Sequence, residues 1–395
     1  MPMTTDFPIC IVQPNPSAVS ETFLRAHAER LPGAITVIHG FYPTVNGRVS
    51  LQTTLMGRAL RRVKRRLLSR SAREEATNAY ARLFESKKPA VVLAEYGPTG
   101  VHLLDACRRL GIPLVVHFHG YDASETKVLE EHVEGYARLF EEAAALVVVS
   151  LAMKRQLLTL GAPEWKLHVN PCGVDCEHFS GSAPGTAGPT LLAVGRFVEK
   201  KAPHLTIRAF AQARATIADA RLRMIGSGPL LDACRTLADE LGVGDAVTLL
   251  GAQPPEAVRS EMRRARAFVQ HSIRAPSGDC EGMPVSVLEA GACGLPIIAT
   301  RHAGIPEAVI EGETGLLVDE GDVDGMAAAM RRMLEEPDMA AAMGRASREW
   351  IASRFRLEDR IARLWEILAS SLEADAGKSP RRAPSLAASE TAGRP

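Results

Sequence analysis

Short apolar runs rich in β-branched residues alternate with longer Ala-, Leu- and Arg-rich stretches along most of this 395-residue chain. The longer stretches have helical spacing, as in Leu205, Ala209 and Gln212, whereas the short runs have the length of strands. Strands that alternate with helices predict parallel sheets with helices on both faces. Near-continuous apolar runs, such as residues 146–149, fit strands buried on both sides. The sequence therefore predicts an α/β fold.

The predicted strands fall into two groups that are separated by a linker. They lie at residues 9–13, 35–39, 91–94, 114–117, 146–149, 191–195, 222–225, 247–250, 267–270, 297–299 and 315–318. Residues 180–189 consist of Ser, Gly, Ala, Pro and Thr without a charge, the composition of an interdomain linker. We therefore predict two doubly wound, Rossmann-like domains that face each other across a cleft, at residues 1–182 and 183–372. The last helix is expected to be able to pack back on the first domain, and residues 373–395 are expected to be disordered.

The composition excludes several classes of protein. With 46% hydrophobic and 24% charged residues, the chain is not wholly disordered, collagen-like or a coiled coil. The net charge of +1, from 47 basic and 46 acidic residues, argues against a generally basic nucleic-acid binder. Residues 143–153 form the longest strongly apolar run, which is too short for the roughly 20 residues of a membrane span.

The start of the chain and its cysteines indicate a cytoplasmic protein. No basic residue precedes the first apolar stretch, so no signal peptide is expected. The seven cysteines never have the spacing Cys-x-x-Cys, which argues against a zinc site or a disulfide framework. They are expected to be small core residues in a reducing compartment.

The second half carries basic and glycine-rich loops directly after two predicted strands. Arg196 and Lys201 follow the strand at 191–195, where a guanidinium fork and an ammonium group could clamp a diphosphate. A solvated basic loop explains them equally well. Gly226 and Gly228 follow the next strand in a tight turn that would let backbone approach a ligand, although an ordinary turn explains that pattern more often.

The segment from Glu281 to Glu289 carries the strongest signal for a ligand. Pro284 suits the first turn of a helix that runs to about Cys293 and stops at Gly294. The amides of residues 282–285 would then form an anion site at the helix N-terminus. A carboxylate favoured by the helix dipole and an exposed helical glutamate are the alternative. That helix is largely apolar, however, and a buried glutamate without a partner is costly, which favours a ligand or hydrogen-bond role for Glu289.

The first half places two histidines and an aspartate, His117, His119 and Asp122, directly after a buried strand. The histidines could be a metal pair, but they are only two residues apart and no third ligand lies nearby in sequence. His117 is predicted to be a structural, hydrogen-bonded residue at the strand end. Ser20 and Glu21 follow the first strand, where Ser20 could also simply cap a helix.

These motifs, in this order, resemble the family 4 retaining glycosyltransferases, which have the GT-B fold. Gly-Arg-x4-Lys, Gly-Ser-Gly-Pro, Glu-Gly-Met-Pro-x4-Glu-Ala, Gly-Leu-Pro and Gly-Ile-Pro-Glu follow one another over about residues 191–319. Residues 20–23 and 278–282 resemble the branch that builds exopolysaccharides of the colanic-acid type. Ala202 departs from the family, which usually has glycine after the lysine.

The resemblance implies a role for each matching residue. It assigns Arg196 and Lys201 to the donor diphosphate, Glu281 to the hydroxyls of the transferred sugar and Glu289 to the ribose. It implies donor contacts from Gly226, Gly228, Gly282, Met283, Pro284 and Val285, a place at the reacting centre for His119 and Asp122, and acceptor contacts from Ser20 and Glu21.

The implied activity is transfer of a sugar from a UDP- or GDP-sugar to an acceptor hydroxyl with retained anomeric configuration. The acceptor would be a lipid-linked or polysaccharide precursor of bacterial exopolysaccharide or cell-envelope glycan, and neither a cofactor nor a metal is expected. A nucleotide-sugar epimerase on the same fold and a non-catalytic nucleotide-sugar-binding scaffold are the alternatives. A nicotinamide-dependent dehydrogenase ranks lower, because no Gly-x-Gly-x-x-Gly follows the first strand.

Residues 58–73, from Arg58 to Arg73, contain eight basic residues and no acidic one. Leu60, Val63 and Leu67 share one helical face, so the segment could lie on an anionic membrane. A solvated basic helix is the alternative, and RNA binding is disfavoured because no aromatic residues interleave the charges. A lipid-linked acceptor favours membrane contact, and we therefore expect a cytoplasmic protein at the inner face of the cytoplasmic membrane.

Overall fold

Two parallel sheets, each covered by helices, make up the protein. The computed structural model describes residues 6–15, 22–45 and 71–376. The strands are β1 (Ile9–Gln13), β2 (Ile35–His39), β3 (Thr44–Val45), β4 (Val91–Glu95), β5 (Leu114–Phe118), β6 (Ala145–Val148), β7 (Leu167–Val169), β8 (Thr190–Val194), β9 (Arg221–Ile225), β10 (Val247–Leu249), β11 (Ala267–Gln270), β12 (Ile297–Thr300) and β13 (Gly315–Val318).

Fourteen α-helices connect these strands within the described residues. They are α1 (Thr22–Arg30), α2 (Ala72–Lys87), α3 (Gly97–Leu110), α4 (Tyr121–Ser124), α5 (Thr126–Glu142), α6 (Leu151–Thr159), α7 (Pro203–Arg214), α8 (Leu231–Glu240), α9 (Pro255–Arg264), α10 (Val285–Cys293), α11 (Ile305–Ala308), α12 (Val323–Glu335), α13 (Pro337–Arg354) and α14 (Leu357–Ala376). None of these helices combines the length and the apolarity that a membrane span requires.

The two sheets have the doubly wound strand order. The first runs β3-β2-β1-β4-β5-β6-β7, and β2 with β3 is the one antiparallel pair among its described strands. The second runs β10-β9-β8-β11-β12-β13 and is parallel throughout the described pairs. In such sheets the strand order reverses beside β1 and beside β8, and ligands bind beyond the carboxyl ends of the strands at that point. The loops after β8 and β11 are therefore well placed to form a site.

The predicted strands are confirmed, with ends that differ by one residue at most. Most are buried apolar runs, as β4 illustrates, where all five residues are buried, whereas β2 is only partly buried. The sequence prediction missed β3 and β7, which have only two and three residues and therefore too little pattern to detect.

Helix α2 begins with a capping box that corrects one prediction about the basic segment. The Ser71 side chain accepts from the Glu74 amide at 3.1 Å, and the Ser71 amide donates to the Glu74 carboxylate at 2.7 Å. Ser71 itself is extended, with φ −72° and ψ 158°. A single helix therefore does not run through to Arg73, which belongs to α2. Residues 58–70 lie outside the described part of the chain.

Helix α14 packs on the first sheet. Its residues Ile361, Leu364 and Leu368 form one apolar cluster with Ile11 of β1 and Leu93 of β4. The chain reaches this face after the helices of the second sheet, so its last helix joins the two halves.

The glycine- and proline-rich segment at 180–189 packs against the second sheet's helices. The Ser182 hydroxyl donates to the Cys293 carbonyl at 2.8 Å, and the Arg263 guanidinium donates to the Ser180 carbonyl at 2.7 Å. All seven cysteines are buried and free, as predicted for small core residues.

Candidate active site

The loops that follow β5 and β11 meet between the two sheets. A Cβ added to Gly282 would lie 2.1 Å from the His119 carbonyl oxygen, so only glycine allows this backbone approach. The Ser124 hydroxyl accepts from the Cys280 amide at 3.0 Å, and the Thr126 amide donates to the Ser277 carbonyl at 2.9 Å. These contacts bring the candidate reacting centre of the first half against the candidate donor loop of the second.

Lys201 and Glu281, predicted to bind different parts of a donor, form an ion pair with each other at 3.1 Å. Burial lowers the pKa of Lys201, and the Glu281 carboxylate opposes that shift. Burial acts to raise the pKa of Glu281, but the ammonium groups of Lys201 and Lys200 outweigh it and hold that pKa below its usual range. Each side chain therefore lies beside a group of opposite charge.

The remaining basic side chains of this loop differ in their surroundings. Lys200 is buried and paired with Asp279 at 2.9 Å, with a second hydrogen bond to the Cys280 carbonyl at 3.1 Å. Arg196 is exposed after β8, and it forms no ion pair within the described residues. Arg196 is thus the cation that is free to meet an incoming anion, whereas Lys200 supports the loop.

Helix α10 begins one residue later than predicted. Pro284 is its cap residue, with φ −70° and ψ 113°, and the helix ends at Gly294, whose φ is 93°. Because proline has no amide hydrogen, an anion at this terminus would meet the amides of Gly282, Met283 and Val285. Pro284 can contribute shape but no hydrogen bond from its nitrogen.

Glu289 lies one turn into α10, and it is only partly exposed. Burial raises its pKa to about 8. No side-chain hydrogen bond or ion pair to Glu289 occurs among the described residues. The ligand role of this carboxyl group stays a prediction.

Gly226 and Gly228 permit two loops to pack backbone to backbone. Their φ values are 144° and 155°, and an added Cβ would lie 1.9 Å from the Gly195 carbonyl oxygen and 2.4 Å from the Phe197 carbonyl oxygen. These glycines therefore hold the loop after β9 against the loop that carries Arg196. Their geometry explains both glycines without a direct ligand contact.

His119 is held by a carboxylate that the sequence prediction missed. Its Nε2 lies 2.7 Å from Oε2 of Glu95, and the other Glu95 oxygen accepts from Nδ1 of His27 at 2.8 Å. Burial opposes protonation of His119, but contacts with Cys172 and Glu95 outweigh it and raise the pKa to about 10. Burial likewise acts against the Glu95 anion, and the histidines at 27 and 119 nevertheless hold its pKa well below its usual range. The Glu95 carboxylate thus favours the protonated form of His119.

His117 has more potential metal-binding neighbours than its sequence context indicates. Donor atoms of His27, Glu95 and His117 lie within 4.8 Å of one another, and all three residues are buried. The expectation that no third ligand lies near the histidines is therefore wrong for the folded chain, because α1 supplies His27 and β4 supplies Glu95. His117 stacks on His27 at a centroid distance of 5.3 Å, and burial lowers its pKa well below the usual value. Its neutral, buried ring fits a structural role, but the predicted hydrogen bond is wrong, because neither ring nitrogen of His117 has a hydrogen-bond partner among the described residues.

Asp122 is fully buried beneath the loop after β5. Its carboxylate accepts from the amides of Gly97, His119 and Gly120 at 3.0, 3.0 and 2.8 Å. Three amide donors leave this group committed to the backbone, so Asp122 positions His119 and does not itself face the cleft. Ser20 and Glu21, the predicted acceptor contacts, lie outside the described residues.

Ala202, the one departure from the family pattern, has a backbone conformation that favours glycine. Its φ is 37° and its ψ is 52°, a left-handed conformation in which glycine is free of steric cost. Alanine tolerates this conformation at some cost in energy, and it keeps Lys201 at the end of the preceding turn.

Comparison with known proteins agrees with this geometry. Residues 20–178 match the family described as Glycosyltransferase Family 4, and residues 177–350 match the family described as Glycosyl transferases group 1. Among solved structures, Anabaena HepE in complex with UDP and glucose superposes with a TM-score of 0.73 over 92% of this chain and 100% of that one, at 16% identity. That likeness shows the fold, and the predicted GT-B architecture is confirmed.

Three curated relatives are more similar in sequence. The putative colanic acid biosynthesis glycosyltransferase WcaL of Salmonella typhimurium is 33% identical over 67% of this chain and 66% of its own, slightly less than two thirds of its length. The amylovoran biosynthesis glycosyltransferase AmsK of Erwinia amylovora is 31% identical over 72% of this chain and 71% of its own. A GDP-mannose-dependent phosphatidylinositol monomannoside mannosyltransferase of Mycolicibacterium smegmatis is 30% identical over 66% of this chain and 71% of its own. The chain belongs to glycosyltransferase family 4.

Proposed function

We propose that this protein transfers a sugar from a nucleoside diphosphate sugar to an acceptor hydroxyl, with retention of the anomeric configuration. The contact between the Gly282 backbone and the His119 carbonyl carries the proposal, because it joins the two halves of the site. On one side lie Arg196, Lys201 and the start of α10, which suit a diphosphate. On the other lies His119, whose protonated form is favoured by the buried Glu95 carboxylate.

The leaving diphosphate explains the cationic side of the site. As the bond from the anomeric carbon to the phosphate oxygen breaks, negative charge grows on the phosphate. Arg196, Lys201 and the amides of Gly282, Met283 and Val285 would stabilise that charge. When Lys201 turns to the phosphate, Glu281 loses its partner and is free to accept from the sugar hydroxyls.

The retained configuration is taken from the family resemblance, and the carboxylates beside His119 are not available as a base. Asp122 is committed to three amides and Glu95 to two imidazoles. We therefore propose a front-side substitution in which the new bond to the acceptor oxygen forms on the face that the phosphate leaves. The acceptor's proton passes to the departing phosphate oxygen, and His119 steadies the transferred sugar.

Domain closure would protect the donor from water. The Glu307 carboxylate of α11 accepts from the Leu151 amide of α6 at 2.8 and 3.0 Å, a further link between the two halves. No resident metal or cofactor takes part in this proposal. Cationic side chains and backbone amides offset the negative charge of the diphosphate.

The relatives suggest the pathway and leave two donor classes to be compared. Two of them are named for colanic acid and amylovoran biosynthesis, and a third is named as GDP-mannose-dependent. The structural relative was crystallised with UDP and glucose. We propose a lipid-linked or polysaccharide acceptor in exopolysaccharide synthesis, used at the inner face of the cytoplasmic membrane, with residues 58–73 in contact with anionic lipid.

A ligand panel tests the proposal first. Thermal shift with UDP, GDP, ADP, their common sugars and NAD, with and without EDTA, identifies the donor class, and a ligand at 100 times its Kd stabilises the folded state by about 2.7 kcal/mol. We expect a shift with one nucleotide class that EDTA does not abolish, followed by transfer to an acceptor whose product retains the donor's anomeric configuration by NMR. A shift only with NAD, or with no nucleotide sugar, would refute the proposal.

Variants then separate the transferase from its rivals. His119→Ala should lower kcat at least tenfold more than it raises the donor KM, whereas Lys201→Ala should act mainly on donor use. An epimerase would convert the donor without acceptor, and a scaffold would bind the donor without turnover. Either result would replace the transferase assignment.

A further inference from the structure

His302 lies directly after β12 and contacts the candidate donor loop at the Glu281 amide. It is 2% exposed. Its Nε2 lies 3.1 Å from the Glu281 amide, and its Nδ1 lies 2.6 Å from Oε1 of Glu320. The other Glu320 oxygen accepts from the Arg274 amide at 2.8 Å. One imidazole thus connects the loops that follow β11, β12 and β13.

The partners of His302 determine which ring nitrogen carries the proton. A backbone amide can only donate, so Nε2 must accept from Glu281 and must be unprotonated. A carboxylate can only accept, so Nδ1 carries the hydrogen and donates it to Glu320. A single neutral tautomer therefore satisfies both contacts, and no rotation of the ring would do the same.

The loop around His302 is itself fixed against the donor loop. An added Cβ at Gly304 would lie 2.3 Å from the Gly282 carbonyl oxygen. Ala303 has a φ of 47°, and the His302 carbonyl accepts from the Ile305 amide at 3.0 Å as α11 begins. Because this loop cannot relax easily, the imidazole transmits a defined position to the Glu281 backbone.

We propose that His302 is the positioning residue that sets the Glu281 loop for recognition of the donor's sugar. The hydrogen bond to the Glu281 amide fixes where the Glu281 carboxylate and the following amides stand, while Glu320 fixes the ring. The inference rests on the proposed transferase function. It adds that recognition of the sugar, and not of the nucleotide, depends on His302.

Two variants of similar size separate the two contacts of the imidazole. In His302→Gln the side-chain oxygen can take the place of Nε2 and still accept from the Glu281 amide. In His302→Asn the side chain reaches only the position of Nδ1, so it can meet Glu320 but not Glu281. Each purified variant is assayed for the KM of the nucleotide sugar, for kcat, and for inhibition by the free nucleoside diphosphate.

We expect His302→Asn to raise the KM of the nucleotide sugar about five- to tenfold, the effect of one lost hydrogen bond. Inhibition by the free diphosphate should change less than twofold, and His302→Gln should restore most of the KM.

Other outcomes overturn the inference. If both variants weaken binding of the nucleotide sugar and binding of the free diphosphate equally, His302 supports the fold in general and not the sugar subsite. If His302→Asn has the wild-type KM for the nucleotide sugar, the hydrogen bond to the Glu281 amide does not contribute to recognition of the sugar. A wild-type protein that turns over no nucleotide sugar would instead refute the proposed function, and thermal unfolding of each variant identifies any that fails to fold.

Discussion

Replacement of Glu289 by glutamine tests whether burial without a partner governs this carboxyl group. Its pKa rises from an ordinary 4.5 to about 8 because it is buried. Above pH 4.5 the unfolded chain releases this proton, whereas the folded chain keeps it up to about pH 8. The stability that this group contributes is therefore fully present below pH 4.5. It is lost as the pH rises toward about 8, by about 1.4 kcal/mol for each pH unit.

The variant Glu289→Gln has no proton to release, so it lacks this loss. We expect the difference in unfolding free energy between the variant and the wild type to grow by about 2.5 kcal/mol between pH 5 and pH 7, in favour of the variant. The comparison removes the pH dependence of all other groups, which both proteins share. Urea unfolding at pH 5, 6, 7 and 8 measures it, and Glu240→Gln, an exposed position on α8, is the matched control.

The same carboxyl group should link donor binding to pH. Ribose hydroxyls that donate to Glu289 favour its ionised form, so binding releases a proton, and donor affinity rises by up to about tenfold per pH unit below pH 8. Calorimetry in two buffers of different ionisation enthalpy counts that proton, and Glu289→Gln should release none. If the variant and the wild type show parallel stability from pH 5 to pH 8, Glu289 is ionised in the free protein and the reasoning from burial fails.

Three further predictions concern the ion pair, the interdomain link and the buried histidines. Lys201→Met should destabilise the fold by about 3 kcal/mol in urea unfolding, because it leaves a buried carboxylate without its closest cation, and adding Glu281→Gln should recover most stability but no donor binding. Glu307→Gln should cost about 1 kcal/mol and raise donor hydrolysis relative to transfer, measured as the product ratio. Treatment with EDTA should leave sugar transfer unchanged. The prediction is contradicted if the purified protein holds one equivalent of zinc and the variant Glu95→Gln, at the cluster of buried histidines, does not.

The sequence was sufficient to predict the sheets because buried parallel strands leave a local signal. Continuous apolar runs such as β4 can be recognised from four or five consecutive residues. The start of α10 was predicted for the same reason, since Pro284 and Gly294 mark a helix within a short window. The error of one residue at Pro284 reflects the fact that proline suits both the cap and the first turn.

The missed residues of the site depend on contacts between distant parts of the chain. His27 and Glu95 are 68 residues apart, and Glu95 and His119 are 24 apart, so no local spacing links them. The available signal was weak: Glu95 is an acidic residue at the end of an otherwise apolar strand. Such a buried charge requires a partner, and only the packing of α1 and β5 against β4 shows which partner it has.

Charges at the cleft indicate the order in which parts of a donor would engage. In the free protein Asp279 neutralises Lys200 and Glu281 neutralises Lys201, so the exposed Arg196 is the remaining cation of this loop. A diphosphate attracted by Arg196 can then draw Lys201 from Glu281, which supplies the second positive charge. Only after that exchange can Glu281 accept from sugar hydroxyls. The nucleotide part should therefore bind first, and a variant that weakens only the sugar contacts should leave binding of the free diphosphate intact.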